Sequence, residues 1–271
     1  MSNIDTIKQI LLQTVATAYE RRTPLEWERL LSRKFQSPKK MIKAAIRSLV
    51  HEGELAYSYT HGCSFLVRNF ERPVRISEHI ILKPPVVSYE RRSEDLVVEL
   101  QAGASFGDGQ HPSTRLALRG IEYALTDKSF AGKNKKLPAL DIGTGSGVLV
   151  IAAVLLGIAT AVAIDTDPCA RAEAKFNVKL NNLENRIEID DRPIEKLNGR
   201  YCLISANLRY PTLKKLYPQM QKMVTQQGHL VLSGIKAEEV AGLLNLYTKS
   251  RFDLQWQETE QDWAGVVLQK R

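Results

Sequence analysis

Leu140-Asp141-Ile142-Gly143-Thr144-Gly145-Ser146-Gly147 is the stretch that decides how this chain is read. An apolar strand runs into a glycine turn, and the residues after Gly147 have the character of a helix. Eighteen residues beyond Gly147, Asp165 closes a second apolar run, Ala161-Val162-Ala163-Ile164. A parallel strand-helix-strand unit sets such a turn and such a carboxylate side by side at the carboxyl end of a sheet. Glycines let the backbone come close to a ligand, and an acid at that place grips a ribose diol with both oxygens. The pattern describes a nucleoside-binding site.

The kind of nucleoside follows from what is missing. A dinucleotide site has G-x-G-x-x-G, but here the glycines fall at 143, 145 and 147 and position 148 is Val. The phosphate-binding lysine of G-x-x-x-x-G-K-[ST] is absent. With no phosphate to cradle, the site suits a nucleoside carrying an amino-acid tail, S-adenosyl-L-methionine. Asp165 is expected on the ribose hydroxyls, and the backbone at Gly143 and Gly145 against the methionine and ribose. Asp141 is a candidate for holding the amino group, directly or through water.

Outward from this unit, strands and helices alternate. Strands are expected at 139–142, 161–165, 186–190, 201–206 and 229–234. Helices are expected at 146–156, 168–180, 193–197, 211–225 and 236–248. Phe252 to Glu258 and Trp263 to Gln269 read as a closing hairpin. Such alternation implies an α/β fold, a Rossmann-like doubly wound sheet with an antiparallel C-terminal hairpin, the pattern of a class I methyltransferase. Val148 to Ile164 carries no charge over seventeen residues. It reads as a buried helix and a buried strand rather than a membrane span.

Two corners of the sheet carry further candidates. The strand ending Asp190-Asp191 meets the adenine in this fold, which makes Asp191 a cofactor candidate; a solvated acidic loop is the plainer alternative. The strand ending Ser205-Ala206-Asn207 faces the transferred methyl. An amide at Asn207 can accept a hydrogen bond from an amine and orient its lone pair, or it can simply cap the loop. The Asp/Asn-Pro-Pro-aromatic run of many nucleobase methylases is not there.

Ahead of the core lies Gly103-Ala104-Ser105-Phe106-Gly107-Asp108-Gly109-Gln110-His111-Pro112-Ser113-Thr114. Its glycines make a pliable loop, and Pro112 opens a helix expected through Leu125. The loop, with Phe106 and Thr114, is placed over the cofactor. His111 invites a catalytic role, but packing or capping at the helix start is the favoured reading.

The N-terminal part has a different pattern. Apolar residues at helical spacing predict a helix from Ile4 to Tyr19, Thr23-Pro24 and Ser37-Pro38 open two more, and Gly53 stops the third. Glu54 to Thr60 and Cys63 to Arg68 flank His61-Gly62, a hairpin signal. Three helices and a hairpin form a winged-helix-like domain over 1–72, followed by a connector over 73–94 and the methyltransferase domain over 95–271. Residues 1–72 hold 12 Lys and Arg against 7 Asp and Glu, so this small part carries most of the chain's net charge of +8. Lys39, Lys40, Lys43 and Arg47 lie on the exposed face of the third helix, which fits nucleic acid and equally a solvated face on a module for protein contacts.

Three well-separated cysteines give neither a zinc spacing nor a disulfide framework, so no metal is expected, and reduced thiols point to the cytoplasm. The N-terminus has no signal-peptide pattern.

Taken together, Phe106 to Thr114, Asp141 to Gly147, Ile164 to Pro168, Ala206 to Leu208 and Leu232 to Ile235 resemble the ribosomal protein L11 methyltransferase family. Order and spacing match across roughly 95–271, and the Phe-Gly-x-Gly-x-His-Pro-x-Thr run is the specific element. The resemblance implies cofactor contacts at Thr114, Gly143, Asp165 and Asn207. It also implies methylation of lysine side-chain or α-amino nitrogen on a protein, with a ribosomal protein as partner. Asp108 and Gln110 stand where members have Thr, and the N-terminal part does not resemble the family's substrate-recognition domain. A nucleic-acid methyltransferase and a non-catalytic regulator that senses S-adenosyl-L-methionine are the competing readings.

Overall fold

The computed structural model describes residues 4–17, 22–60, 62–101, 103, 105–126, 137–249 and 251–271. Tyr19, His61, Ala104 and Lys136 of the sequence reading lie outside them. The chain divides into two compact units, Met1–Arg72 and Pro73–Arg271.

The first unit contains α1 (Ile4–Thr17), α2 (Pro24–Lys34) and α3 (Lys39–His51), then an antiparallel hairpin of β1 (Leu55–Thr60) and β2 (Cys63–Arg68). Thr23 caps α2 reciprocally: its hydroxyl accepts from Glu26 N–H, and the Glu26 carboxylate accepts from Thr23 N–H at 2.7 Å. The start of α3 differs from that expectation. Pro38 stands at the cap without a side-chain bond, because the Ser37 hydroxyl is turned back to donate to the Phe35 carbonyl. Gly53, at φ +71°, ends α3 and lets Glu54 N–H reach back to the Leu49 carbonyl. Trp27, Leu31, Ile42, Ile46, Leu49, Leu55 and Leu66 close the core of this unit.

In the second unit the expected 73–94 connector carries structure of its own. β3 (Val74–Arg75) and β4 (Ile80–Lys83) form a small sheet with β5 (Leu96–Glu99). Pro73 and Pro84-Pro85 suggested breakers, but they only bound two short strands. Asp95, almost fully buried, organises the intervening loop. Burial alone would raise its pKa, but hydrogen bonds from Tyr89 and Arg75 hold it well below the usual carboxylate range.

The main sheet comprises β6 (Ala139–Ile142), β7 (Ala161–Ile164), β8 (Ile187–Asp190), β9 (Tyr201–Asn207), β10 (Val224–Lys236), β11 (Phe252–Glu260) and β12 (Trp263–Lys270). Their spatial order is β11-β12-β10-β9-β6-β7-β8. The five strands from β10 to β8 are parallel, and β12 and β11 add antiparallel at the edge. The helices are α4 (Pro112–Thr126), α5 (Val148–Leu155), α6 (Pro168–Leu180), α7 (Tyr210–Met223) and α8 (Val240–Thr248). After β6 the chain proceeds through β7 and β8 on one side, then returns to β9 on the other. That reversal makes a crevice at the carboxyl ends of β6 and β9, where ligands bind in open α/β sheets.

Three local differences from the sequence reading have simple causes. The helix expected from 146 begins at Val148, because Gly147 sits at φ +84° and Ser146 belongs to the turn. The segment 193–197 forms a single 3-10 turn, Ile194–Lys196, and Ala237–Glu239 forms another before α8. α5 is apolar throughout and buried over seven residues, as its place under the sheet requires, and no described helix is long and apolar enough to cross a membrane.

Candidate functional site

The glycine turn is built from below. β6 and β9 pair so that Asp141 stands beside Ser205. The Ser205 hydroxyl donates to Asp141 Oδ1 at 2.6 Å, and the Thr144 hydroxyl donates to Oδ2 at 2.7 Å. Asp141 is 1 % exposed, so burial pushes its carboxyl up to about 6, the nearby Asp165 charge adding to the rise and the two hydroxyls opposing it. Each of its oxygens thus carries one bond that braces the turn from beneath and keeps a further lone pair.

Above this base, Gly143 and Gly145 adopt φ of +71° and +55°. Gly143 and Thr144 N–H both donate to the Ile164 carbonyl, which draws the turn over the end of β7. There Asp165 accepts from Gly145 N–H through Oδ2 and from Asp167 N–H through Oδ1, each at 2.9 Å. The carboxylate is thus locked in orientation while remaining part-exposed, and carboxylate oxygens have further lone pairs for a diol. Arg171 holds the same corner through the Asp165 and Thr166 carbonyls.

The 106–114 loop meets the turn from above. The Phe106 carbonyl accepts from Ser146 N–H, and the Gly107 carbonyl accepts from the Ser146 hydroxyl, both at 2.9 Å. A Cβ on residue 145 would lie 2.3 Å from the Phe106 carbonyl oxygen, so only glycine fits there. At its other end the loop is held by Arg115, which donates to the carbonyls of Gly109 and Gln110. The Arg115 guanidinium also bonds Glu260, whose second oxygen takes Arg119 at 2.5 Å. These side chains are largely buried, and they fasten the loop to the tip of the terminal hairpin.

His111 caps the start of α4 in this arrangement. Its Nδ1 lies 2.7 Å from the Ser113 hydroxyl and accepts Ser113 N–H, and its ring packs between Phe106 and Trp263. Phe106 keeps half its surface open. Thr114, fully buried in the first turn of α4, accepts from Asn207 Nδ2 at 3.4 Å. That leaves Asn207 Oδ1 buried and without a hydrogen-bond partner at the end of β9. Gly234, at φ +82°, makes room for it: a Cβ there would stand 2.9 Å from Oδ1. Asp191 is exposed just past β8, while its neighbour Asp190 is committed to Arg192.

Gly143, Gly145, Asp141 and Asp165 therefore gather on one side of the crevice, with Asn207 and Thr114 paired near its other wall. Phe106 belongs to the loop that joins the two. Ser146, Ser205, Arg115 and Glu260 were not singled out from the sequence. Ser146 lay inside the quoted turn, but its partners and those of the other three come from distant segments. Among the described residues no group of His, Cys, Asp or Glu could hold a metal ion.

Comparison with known proteins agrees with this architecture. The family model for ribosomal protein L11 methyltransferase matches residues 67–271. The ribosomal protein L11 methyltransferase of Desulfotalea psychrophila is 33% identical over 200 residues, covering 73% of this chain and 65% of the relative. The protein of the same name from Heliobacterium modesticaldum is 28% identical over 255 residues, 94% of this chain and 75% of its own. A crystal structure of ribosomal protein L11 methylase from Lactobacillus delbrueckii subsp. bulgaricus superposes with a TM-score of 0.65 at 26% identity, over 74% of this chain and 99% of that one. The chain spans just under two thirds of the length of the first of these relatives.

Two measurements test the geometry. The Asp141 proton is held more tightly in the folded chain than at the ordinary value of 3.8. The resulting stabilisation is complete below about pH 3.8 and lost as pH rises through about 6. Asp141→Asn has no such proton, so its stability relative to the parent rises by about 3 kcal/mol between those limits, read from urea midpoints at several pH values. Glu260→Gln removes the carboxylate that Arg115 and Arg119 share, while Arg119 keeps Glu258 at 3.0 Å. It lowers stability by about 3 kcal/mol, and hydrogen exchange speeds up in residues 106–111 but not in β6 and β7.

Proposed function

The chain belongs to the ribosomal protein L11 methyltransferase family, and on that premise we propose that it transfers a methyl group from S-adenosyl-L-methionine to an amino nitrogen of a protein, with a ribosomal protein as the first candidate. The observation that carries this reading is Asn207 Oδ1, buried and unpartnered at the carboxyl end of β9 across the crevice from the glycine turn. Such an oxygen is satisfied by an N–H donor, and a neutral amine supplies one.

The cofactor brings a methyl already activated on sulfonium. The residues of this chain then hold, align and keep out water. Asp165 takes the ribose hydroxyls, its orientation set by Gly145 and Asp167 N–H groups. The backbone of Gly143 and Gly145 lies along the nucleoside and its tail, Asp191 is offered to the adenine, and Phe106 and Thr114 close the near side. Asp141 supports the turn from beneath. Asn207 accepts one N–H of the acceptor amine and aims its lone pair, its own rotation fixed by Thr114. Alignment of this kind removes up to roughly 7–11 kcal/mol of barrier. A lysine amine, with a solution pKa of about 10.4, must arrive neutral, and a desolvated pocket favours that form. No general base is assigned.

The substrate is expected in the cytoplasm, on a ribosome- or nucleic-acid-associated target. The N-terminal unit supports that choice through Lys39, Lys40, Lys43 and Arg47, all exposed on α3. The same basic face favours one competing reading, methylation of nucleic acid.

Full-length protein incubated with methyl-labelled cofactor and cell extract distinguishes the two. Label removed by protease is expected; label removed by nuclease would transfer the reading to nucleic acid. Absence of transfer with intact cofactor binding would reduce the chain to a sensor. In the companion variant Asp165→Ala, loss of charge-assisted hydrogen bonds weakens cofactor binding at least about tenfold by calorimetry while the fold persists. Unchanged affinity would remove Asp165 from the ribose.

A further inference from the structure

Charge in the N-terminal unit is sharply segregated. Between Glu28 and Glu52 the chain holds seven Lys and Arg and not one Asp or Glu. That interval is the second half of α2, the turn and the whole of α3. Arg29 and Arg33 are exposed on α2, and Lys39, Lys40, Lys43 and Arg47 are exposed on α3. Among the described residues none of the six has an ion-pair partner, whereas Glu52 pairs with Lys8 and Glu54 with Arg72 at 3.0 Å.

The arrangement along α3 is regular. Ile42, Ala45, Ile46 and Leu49 are buried, which fixes the helix rotation. Lys39, Lys43 and Arg47 then form a single row at four-residue spacing, about 12 Å long at 1.5 Å per residue. Beside the row, the small exposed Ala44 leaves the helix surface low, and Lys40 adds a further cation.

Resting on the reading of this unit as a nucleic-acid contact, we infer that the α2–α3 face docks on double-stranded B-form DNA, with α3 in the major groove and Arg29 and Arg33 on a flanking phosphate strand. A helix of about 10–12 Å diameter fits a groove about 12 Å wide. The deep, narrow major groove of duplex RNA does not admit it. Single strands are held on aromatic platforms, and the exposed face of α3 has no aromatic residue. An evenly charged row without a single acid matches an evenly charged polyanion better than the mixed surface of an acidic protein. In helix-turn-helix docking the helix before the recognition helix crosses the backbone, which is the place assigned to Arg29 and Arg33.

The test is fluorescence anisotropy with the full chain and a labelled DNA duplex of about two helical turns, titrated from roughly 50 to 200 mM salt. Binding is expected to weaken steeply with salt. Replacing Lys39, Lys43 and Arg47 together by Gln should lower low-salt affinity at least tenfold and reduce the log-log salt slope by about 2.7, about 0.9 for each phosphate no longer neutralised. Cofactor affinity, measured on the same preparations, should match the parent and show that the variant is folded. No duplex binding by the parent, an unchanged slope in the folded variant, or equal affinity for duplex RNA or polyglutamate would each overturn the inference. DNA binding without methyl transfer to protein would leave this surface standing and remove the proposed activity instead.

Discussion

The contact of one backbone on another at Gly145 is the constraint around which the site is arranged. The Phe106 carbonyl comes so near residue 145 that a β-carbon has no place. Because it does, Ser146 can bond both Phe106 and Gly107, and the turn and the loop become one layer. The opposite edge of that layer is tied to Asp165 through Gly145 N–H, and its underside to Asp141 through Thr144. A larger residue at 145 would disturb all of these together.

The second anchor of the loop is electrostatic and distant. Arg115 lies in the first turns of α4, yet its counter-charge comes from Glu260 at the end of β11. The terminal hairpin therefore does more than cover a sheet edge. Its two-residue turn, Gln261-Asp262, has φ of +48° and +67°, the twist that suits tight hairpins. That turn places Glu260 toward α4 and Trp263 against His111. His111 is thereby held as a cap at the start of α4.

Much of this was legible because the signals were local. Gly143, Gly145 and Asp165 are linked by one strand-helix-strand unit, whose geometry is nearly invariant, so spacing alone located them. Thr23-Pro24 and Gly53 marked helix ends through their own conformational preferences. Reading failed where a local cue was outweighed. Ser37 looked like a cap but turned toward Phe35. The prolines between 73 and 85 looked like a linker, yet β4 is recruited into a sheet by β5, whose pairing no local pattern announces.

The sequence by itself determined the alternation of elements, the nucleoside turn with its acid, the placement of Asn207 at a strand end, and the acid-free basic run of α2 and α3. Each depends on residues close together in the chain or on a periodicity. The tertiary structure decided which groups are paired and which remain available. Asp141 is tied to Ser205, Arg115 to Glu260 and Asn207 Nδ2 to Thr114, while Asn207 Oδ1 is left over. These pairings span 64, 145 and 93 positions, and only the order of strands in the sheet brings them within hydrogen-bond distance.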